Sequence, residues 1–301
     1  MLSLHTNSAA LSAQNSISRT QSSLSTSQTR LSTGFRVNSA MDDAAGLQIA
    51  TRLKAQTSGM AMAMRNTQNS ISMLQTAEGA FDEVTTMLTR MKDLATQAAD
   101  ASSTAKDQAA LQSEYDALGN ELNNIMKNST FGGAKLLDGG TISTAMTFQI
   151  GATSSEKMTI DLSTAMTTLT TSLTTVSDNY TTPDATAGTQ ISDGQDGTAV
   201  GATNTAGQTA ANATIDVIST AIDLVGAVRS SLGAAANRLD HVYNNLSNIS
   251  TNTQAAKGRI MDTDFATESS NMTSSQMLLQ AGTAMLKQSN STSSLVMSLL
   301  Q

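Results

Sequence analysis

At 301 residues, with a formal net charge of −7, 14% charged and 3% aromatic side chains, the chain is long enough for two or three domains or one elongated one. Its acidic balance leaves no basic face for nucleic acid. The absence of tryptophan favours close helix–helix approach by small side chains over a thick globular core. Cysteine is absent and Pro183 is the single proline. That composition suits a cytosolic protein, or a chain exported unfolded with no disulfides to mispair and one slow X–Pro bond. No run of 18 apolar residues is present, so no membrane span is expected. The start, "MLSLHTNSAA", has neither the basic nor the apolar region of a secretory signal.

The first element is a weakly amphipathic helix. Leu4 and Leu11 stand seven apart, as do Ile17, Leu24 and Leu31, with a step of six between the sets that turns the stripe about a third of the way round. A break follows in "LSTGFRVNSAMDDAAGLQIA", residues 31–50. Gly34 suits the end of one helix. Ser39 precedes Asp42 at capping-box spacing, which places Asp42 and Asp43 in the first turn of the next helix, at the positive end of its dipole.

From about 44 to 100 the pattern is a long helix, about 80 Å at about 1.5 Å per residue. Met60, Thr67, Leu74, Phe81 and Leu88 recur at intervals of seven, with Met64 and Ile71 four residues after the first two, as in an a/d seam. Val84, Met87, Met91 and Leu94 carry the stripe onto an adjacent face. A second helix over about 105–128 shows Leu111, Tyr115, Leu118, Leu122 and Ile125.

Turn-rich "STFGGAKLLDGG" (129–140) leads into two strands, "TFQIG" (147–151) and "KMTIDLS" (157–163). In the second, Met158, Ile160 and Leu162 alternate with polar residues. Residues 166 to about 210 form a Thr/Ser/Gly/Asp tract that reads as a small β-rich knob or a mobile loop with little core. Helical periodicity returns over 212–255. Ile218, Val225, Leu232, Leu239 and Leu246 are each seven apart, accompanied by Ile215, Ile222, Ala236 and Tyr243. Arg229 on that seam is read as snorkelling or paired. The C-terminal helix carries Met272, Leu279, Leu286 and Leu300, with Leu278, Met285 and Leu299 on an adjacent row.

Catalysis finds no footing. His5 and His241 lie on different helices, and no nucleophile-elbow, Walker A or dinucleotide fingerprint is present. Asp42 and Asp43 are adjacent and do not share a helix face. "SDGQDG" (192–197) lacks the later ligands of a calcium loop. No cofactor or metal is expected. Every long segment is striped, including ends too polar to order alone, so helix-to-helix association is the main chemistry on offer.

The residues also carry a family resemblance. "LSTGFRVNSAMDDAAGLQIATRL" (31–53) resembles the N-terminal signature of bacterial flagellins, and "RIMDTDFATESSNMTSSQMLLQAGTAMLKQSNSTSSLVMSLLQ" (259–301) resembles the C-terminal one. The likeness extends through about 1–140 and 210–301. It implies a non-enzymatic filament subunit that is exported unfolded by the flagellar type III apparatus and polymerises outside the cell. The implied fold is mainly α, elongated and folded back on itself.

Residues 1–43 with 258–301 would form an inner coiled-coil layer, on which Leu4, Leu11, Leu24, Leu31, Met272, Leu279, Leu286 and Leu300 are the interface candidates. Residues 44–165 with 210–257 would form an outer helical layer bearing a β-hairpin, and 166–209 a variable, solvent-facing segment. The stretch containing Ser39, Asp42 and Asp43 would be a spoke between layers, with "GRIMDTD" (258–264) the returning one. Implied partners are further copies of the chain, an export chaperone and the export apparatus, and the filament-cap and hook-junction proteins. The resemblance also implies Toll-like receptor 5, contacted by Arg90 and Leu94 of "LTRMKDL" and Glu114 of "QSEYDAL". Nucleic acid and membrane are not among the partners. The alternatives are a hook–filament junction protein with flagellin-like ends and, from a different class, a signalling helical hairpin.

Overall fold

The computed structural model describes residues 7–181, 188–192 and 205–299, with backbone alone at 181 and 292–299. Leu4, His5, Pro183, Leu300 and most of "SDGQDG" lie outside the described residues. The described chain is mainly α, and falls into two compact units: the two ends of the chain through Ser58 and from Ile249, and residues Gly59–Asn248.

In the terminal unit, α1 (Ser8–Thr33) starts at Asn7, whose side chain accepts from the Ala10 amide at 3.1 Å. It stops at Gly34, in the left-handed region at φ 74°, whose amide donates to the Arg30 carbonyl. That is the ending expected of a glycine cap. Many of its Ser and Thr hydroxyls donate to carbonyls four residues back, as Thr20 does to Ser16 at 2.9 Å, which satisfies those hydroxyls within the helix.

The helix α2 (Ala44–Ala98) starts differently from the expectation. Asp43 is its cap: its side chain accepts from the Gly46 amide at 2.8 Å, and its carbonyl from Leu47. Asp42 precedes the helix, and its carboxylate accepts from the amides of Asn38 and Ser39 and from the Ser39 hydroxyl. The Ser39–Asp42 pair thus closes the turn before the helix, and neither aspartate stands in the first turn. Two bonding requirements had to be met in series, and one acid serves each. At the other end of the chain Asp264 caps α7 (Phe265–Leu299), accepting from Ala266 at 3.0 Å.

In the unit Gly59–Asn248, α2 packs antiparallel to α6 (Thr205–Met261): Met60 meets Leu246 at one end, and Arg229 pairs with Glu78 at 2.8 Å further along. Met60, Thr67, Leu74, Phe81 and Leu88 are all buried, as are Ile218, Val225, Leu232, Leu239 and Leu246. The accompanying positions differ from those expected. Met64, Ile71, Ile215, Ile222, Ala236 and Tyr243 are only half-buried. The second row of each seam lies three residues on, at Ala63, Ser70 and Ala77 of α2 and Ala221, Val228 and Ala235 of α6. All but Val228 are Ala or Ser, a size that suits close helix–helix approach.

Helix α6 is long and apolar enough by composition to cross a membrane, at mean hydropathy 1.3 over one window of 18 residues. Its buried Ile218, Ala221, Val225 and Val228 belong to the core cluster, the placement of a core helix.

Helix α3 (Ala105–Asn128) begins with a capping box, Thr104 with Asp107, and contributes buried Tyr115 and Leu122. A tight hairpin, β1 (Thr130–Phe131) with β2 (Ala134–Lys135), turns through Gly132 and Gly133 at φ 58° and 86°, backbone angles that glycine adopts without a Cβ penalty. The second hairpin pairs β3 (Met146–Gln149) with β4 (Lys157–Ile160), Met146 opposite Ile160 and Phe148 opposite Met158. It turns Met146, Met158 and Ile160 inward.

The largest departure is in the stretch after β4. Instead of a knob or solvent-facing loop, Ser163–Val176 is a helix, α4, followed by a short α5 (Asp178–Thr181). Met166, Leu169, Leu173, Val176, Tyr180 and Ile191 are buried in the main core. Threonines hide this in the sequence, because β-branching disfavours helix. Here their hydroxyls bond back into the helix, as Thr167 does to Ser163 at 2.8 Å and Thr171 to Thr167 at 2.8 Å. The segment Gly188–Ser192 is held by α3. Gln112 accepts from the Ile191 amide at 2.8 Å, and Asp116 accepts from the Gly188 amide at 3.0 Å.

Candidate assembly interface

The terminal unit holds most of the residues singled out for association. Helices α1 and α7 run antiparallel: Asn7 bonds Ser289, Ser27 bonds Glu268 at 2.5 Å, and a Cβ placed on Gly282 would come within 2.9 Å of Ile17. On α1 the inward positions are Ala10, Ala13, Ile17, Thr20, Leu24, Ser27 and Leu31. On α7 they are Glu268, Met272, Ser275, Leu279, Gly282, Leu286 and Ser289. Both sets step by alternating threes and fours, the spacing of a two-helix seam.

Leu24, Leu31, Met272, Leu279 and Leu286 therefore sit on the seam, each half-buried. Leu11 does not. It is 50% exposed, because Ala10 and Ala13 take the inward positions and Leu11 lies about 100° round the helix from Ala10. Leu4 and Leu300 fall outside the described residues. Leu278 and Met285, seven apart, form a row on α7 that is left 61% and 70% exposed, with Met277 59% exposed beside it. Ser27 and Glu268, buried on the seam, carried no apolar signal. Their positions in the three–four alternation were the clue that could have found them.

The two breaks in the helices lie side by side. Phe35 and Asp262 form an antiparallel bridge, with the Arg36 amide donating to Met261 at 2.6 Å and the Thr263 amide to Gly34 at 3.0 Å. The Arg36 guanidinium adds a bond to the Ile260 carbonyl at 3.0 Å. Ser39, Asp42 and Asp43 follow at once. The amides of Ser39 and then Asn38 hold the Asp42 carboxyl below the usual range.

The three receptor candidates part company. Arg90 and Glu114 face each other in an exposed ion pair, with Nε and Nη2 of Arg90 donating to one carboxylate oxygen at 2.9 and 2.5 Å. Leu94 is 1% exposed and belongs to the core, so its side chain is not on that surface. The periodicity that put Leu94 beside Met87 and Met91 fits this placement.

Nothing in the described residues suggests turnover. No group of three metal-ligating side chains occurs among them. The groove along α1 is lined by Gln14, Ile17, Ser18, Gln21, Ser22 and Ser25, which offer no titratable pair. A half-buried helix seam flanked by uncovered apolar side chains is a surface suited to association with further helices.

Comparison with known proteins agrees. Residues 4–141 match the family model "Bacterial flagellin N-terminal helical region" and residues 215–300 match "Bacterial flagellin C-terminal helical region". The chain belongs to the bacterial flagellin family, a family of structural proteins rather than enzymes.

Polar flagellin F of Vibrio parahaemolyticus is 45% identical over 166 residues, 55% of this chain and 44% of the relative. Flagellin D of Vibrio cholerae is 44% identical over 161 residues, 54% of this chain and 42% of the relative. The matches thus span less than half the length of these curated relatives. Among solved structures, a putative flagellar hook-associated protein from Vibrio parahaemolyticus superposes with a TM-score of 0.55 at 15% identity, covering 73% of this chain and all of that one. It supports the mainly α fold. The crystal structure of Bacillus cereus flagellin matches at 27% identity and a TM-score of 0.45, over 64% of this chain and 94% of that one.

Proposed function

We propose that this chain is a subunit of the bacterial flagellar filament, a motility structure, and that it polymerises through its terminal helices. The observation that carries the reading is the exposed apolar surface of Met277, Leu278 and Met285 on α7, which lies outside the seam that α1 covers. Apolar surface of that kind on a helix with no further partner among the described residues gains burial when copies assemble. The reading includes export in an unfolded state by the flagellar type III apparatus, for which a chain with no cysteine and one proline is well suited. It also includes an export chaperone, the filament cap and the hook-junction proteins as partners, with an extracellular destination.

Seeding the purified protein with filament fragments and imaging it by electron microscopy tests this. Long tubes are the expected product. Short collars would instead favour the hook–filament junction alternative, and a chain that never polymerises would overturn both.

Recognition by Toll-like receptor 5 is a narrower part of the proposal. It now rests on Arg90 and Glu114, whose exposed ion pair places a basic and an acidic group together on a weakly charged chain. Arginine at such a place is a frequent interface anchor.

A further inference from the structure

The seam between α1 and α7 has a weakness that its own repeat creates. Its large apolar positions, Ile17, Leu24 and Leu31 on one helix and Met272, Leu279 and Leu286 on the other, recur every seven residues. Its small positions, Ala13, Thr20 and Ser27 against Ser275, Gly282 and Ser289, recur at the same interval. Sliding one helix past the other by seven residues therefore lays like on like. Apolar packing alone does not distinguish the registers.

One residue breaks the degeneracy. Glu268 is 7% exposed, the only charged side chain among the buried residues described. It accepts from the Ser27 hydroxyl at 2.5 Å, and Arg30 stands 3.7 Å from its other oxygen. We infer that Glu268 is the register key of the terminal helix pair, with Ser27 and Arg30 as its lock. In the register slipped one way, Glu268 would face Thr20, with Ser23 where Arg30 had been. In the other it would face Gly34, past the end of α1, with Val37 in place of Arg30. Either slip takes the carboxylate away from both its hydroxyl donor and its cation, and the first leaves it unpaired on the seam, which is strongly unfavourable.

The Asn7–Ser289 contact at the far end, at 3.3 Å, is neutral and discriminates less. The Phe35–Asp262 bridge also holds the ends together. Its bonds carry no side-chain specificity, but a seven-residue slip would set Asp262 opposite Gln28 of α1 or Asp42 of the turn, neither of them extended, so the test must separate the bridge from Glu268. The inference concerns pairing within one chain and stands whether or not the chain polymerises.

The absence of native cysteine allows a direct test by disulfide trapping. Full-length chains would carry Ile17→Cys with one partner: Gly282→Cys for the observed register, or Ser275→Cys or Ser289→Cys for the two slipped ones. Each is oxidised both in solution and after seeding. The otherwise unaltered chain should cross-link through the Gly282→Cys pair and hardly at all through the other two. Adding Glu268→Leu should raise the slipped cross-links at least about tenfold relative to the observed pair, because specificity is a difference between competing free energies.

Should Glu268→Leu prevent cross-linking in every pair, the charge swap Arg30→Glu with Glu268→Arg decides. Restriction to the Gly282→Cys pair supports the key, and cross-linking in all registers or in none overturns it. Glu268→Leu chains that still cross-link only through Gly282→Cys would show that the backbone bridge sets the register, and would also overturn it. Failure of the unaltered chain to favour the Gly282→Cys pair in either state does the same.

Discussion

The Arg36 amide and the Met261 carbonyl are 2.6 Å apart, so the break that ends the N-terminal helix is hydrogen-bonded to the break that begins the C-terminal one. Gly34, Phe35, Asp262 and Thr263 complete the junction. Two interruptions that look unrelated in sequence are therefore one structure, since each supplies the backbone partners that the other's exposed groups need.

Gly34→Ala probes that junction. A Cβ at this position would meet only Phe265 Cζ, at an unstrained 3.8 Å. The cost is therefore one of backbone conformation at φ 74°, about 1–2 kcal/mol for an L-residue in the left-handed region. Thermal unfolding of seeded polymer should show the loss. A melting temperature equal to that of the unaltered protein would mean that the junction is remade elsewhere.

The α7 seam should be intolerant of charge. Leu279→Asp or Leu286→Asp places a carboxylate among the seam residues of α1 without a designed partner, at a cost of about 2–4 kcal/mol. Polymerisation followed by light scattering should be lost. Thr189→Asp, at an exposed position in the central tract, should polymerise normally. Equal behaviour of the two classes would refute the assignment of the interface.

Arg90 and Leu94 should separate cleanly. The Arg90–Glu114 pair has side chains 54% and 45% exposed, so Arg90→Ala should cost less than about 1 kcal/mol of stability. Receptor signalling by monomer should fall sharply in the same variant. Leu94→Ala opens the core and should cost about 2–5 kcal/mol. Denaturant unfolding and a receptor reporter assay on both variants check this, and an Arg90→Ala monomer that signals at full strength would remove the receptor proposal.

Gln112 holds the segment after α5. It is 2% exposed, donates to Asp116 at 2.8 Å and to Gln190 at 3.1 Å, and accepts from the Ile191 amide. Gln112→Leu leaves the amide of buried Ile191 without its partner, at about 1–3 kcal/mol. Calorimetry should show the destabilisation, while hydrogen exchange should quicken at Ile191.

Acid should loosen the helix starts. Asp264 is held below the usual carboxylate range, first by the Thr267 hydroxyl and then by the Ala266 and Thr267 amides. Its folded value lies below the unfolded one of about 3.9, so its contribution is fully present above that pH and is lost as pH falls through the folded value. Helicity measured against pH should therefore fall below about pH 4, and by less in Asp264→Ala, which has already lost the cap. Identical acid profiles would exclude a role for this carboxylate.

The sequence by itself determined the long helices, their heptad rows and the break at Gly34. Large side chains recurring every seven residues, such as Leu74, Phe81 and Leu88, report a buried face wherever the helix lies, and a glycine after Arg30 and Leu31 reports a left-handed stop. It also determined the family, through the two terminal stretches. Tertiary structure decided what small and polar residues do. Ala63 and Ala77 stand out in no periodic row of large side chains, yet both are buried on the seam with α6. The threonines of α4 argued against a helix until their hydroxyls were seen to bond back to its carbonyls. Leu11 looked like seam and faces out, because Ala10 and Ala13 fit the approach of α7. Glu268 carries no apolar signal in the sequence and is buried, because its partners Ser27 and Arg30 come from the other end of the chain. Periodicity reports the side chains that avoid water, whereas the burial of a polar group depends on a partner that only folding brings within reach.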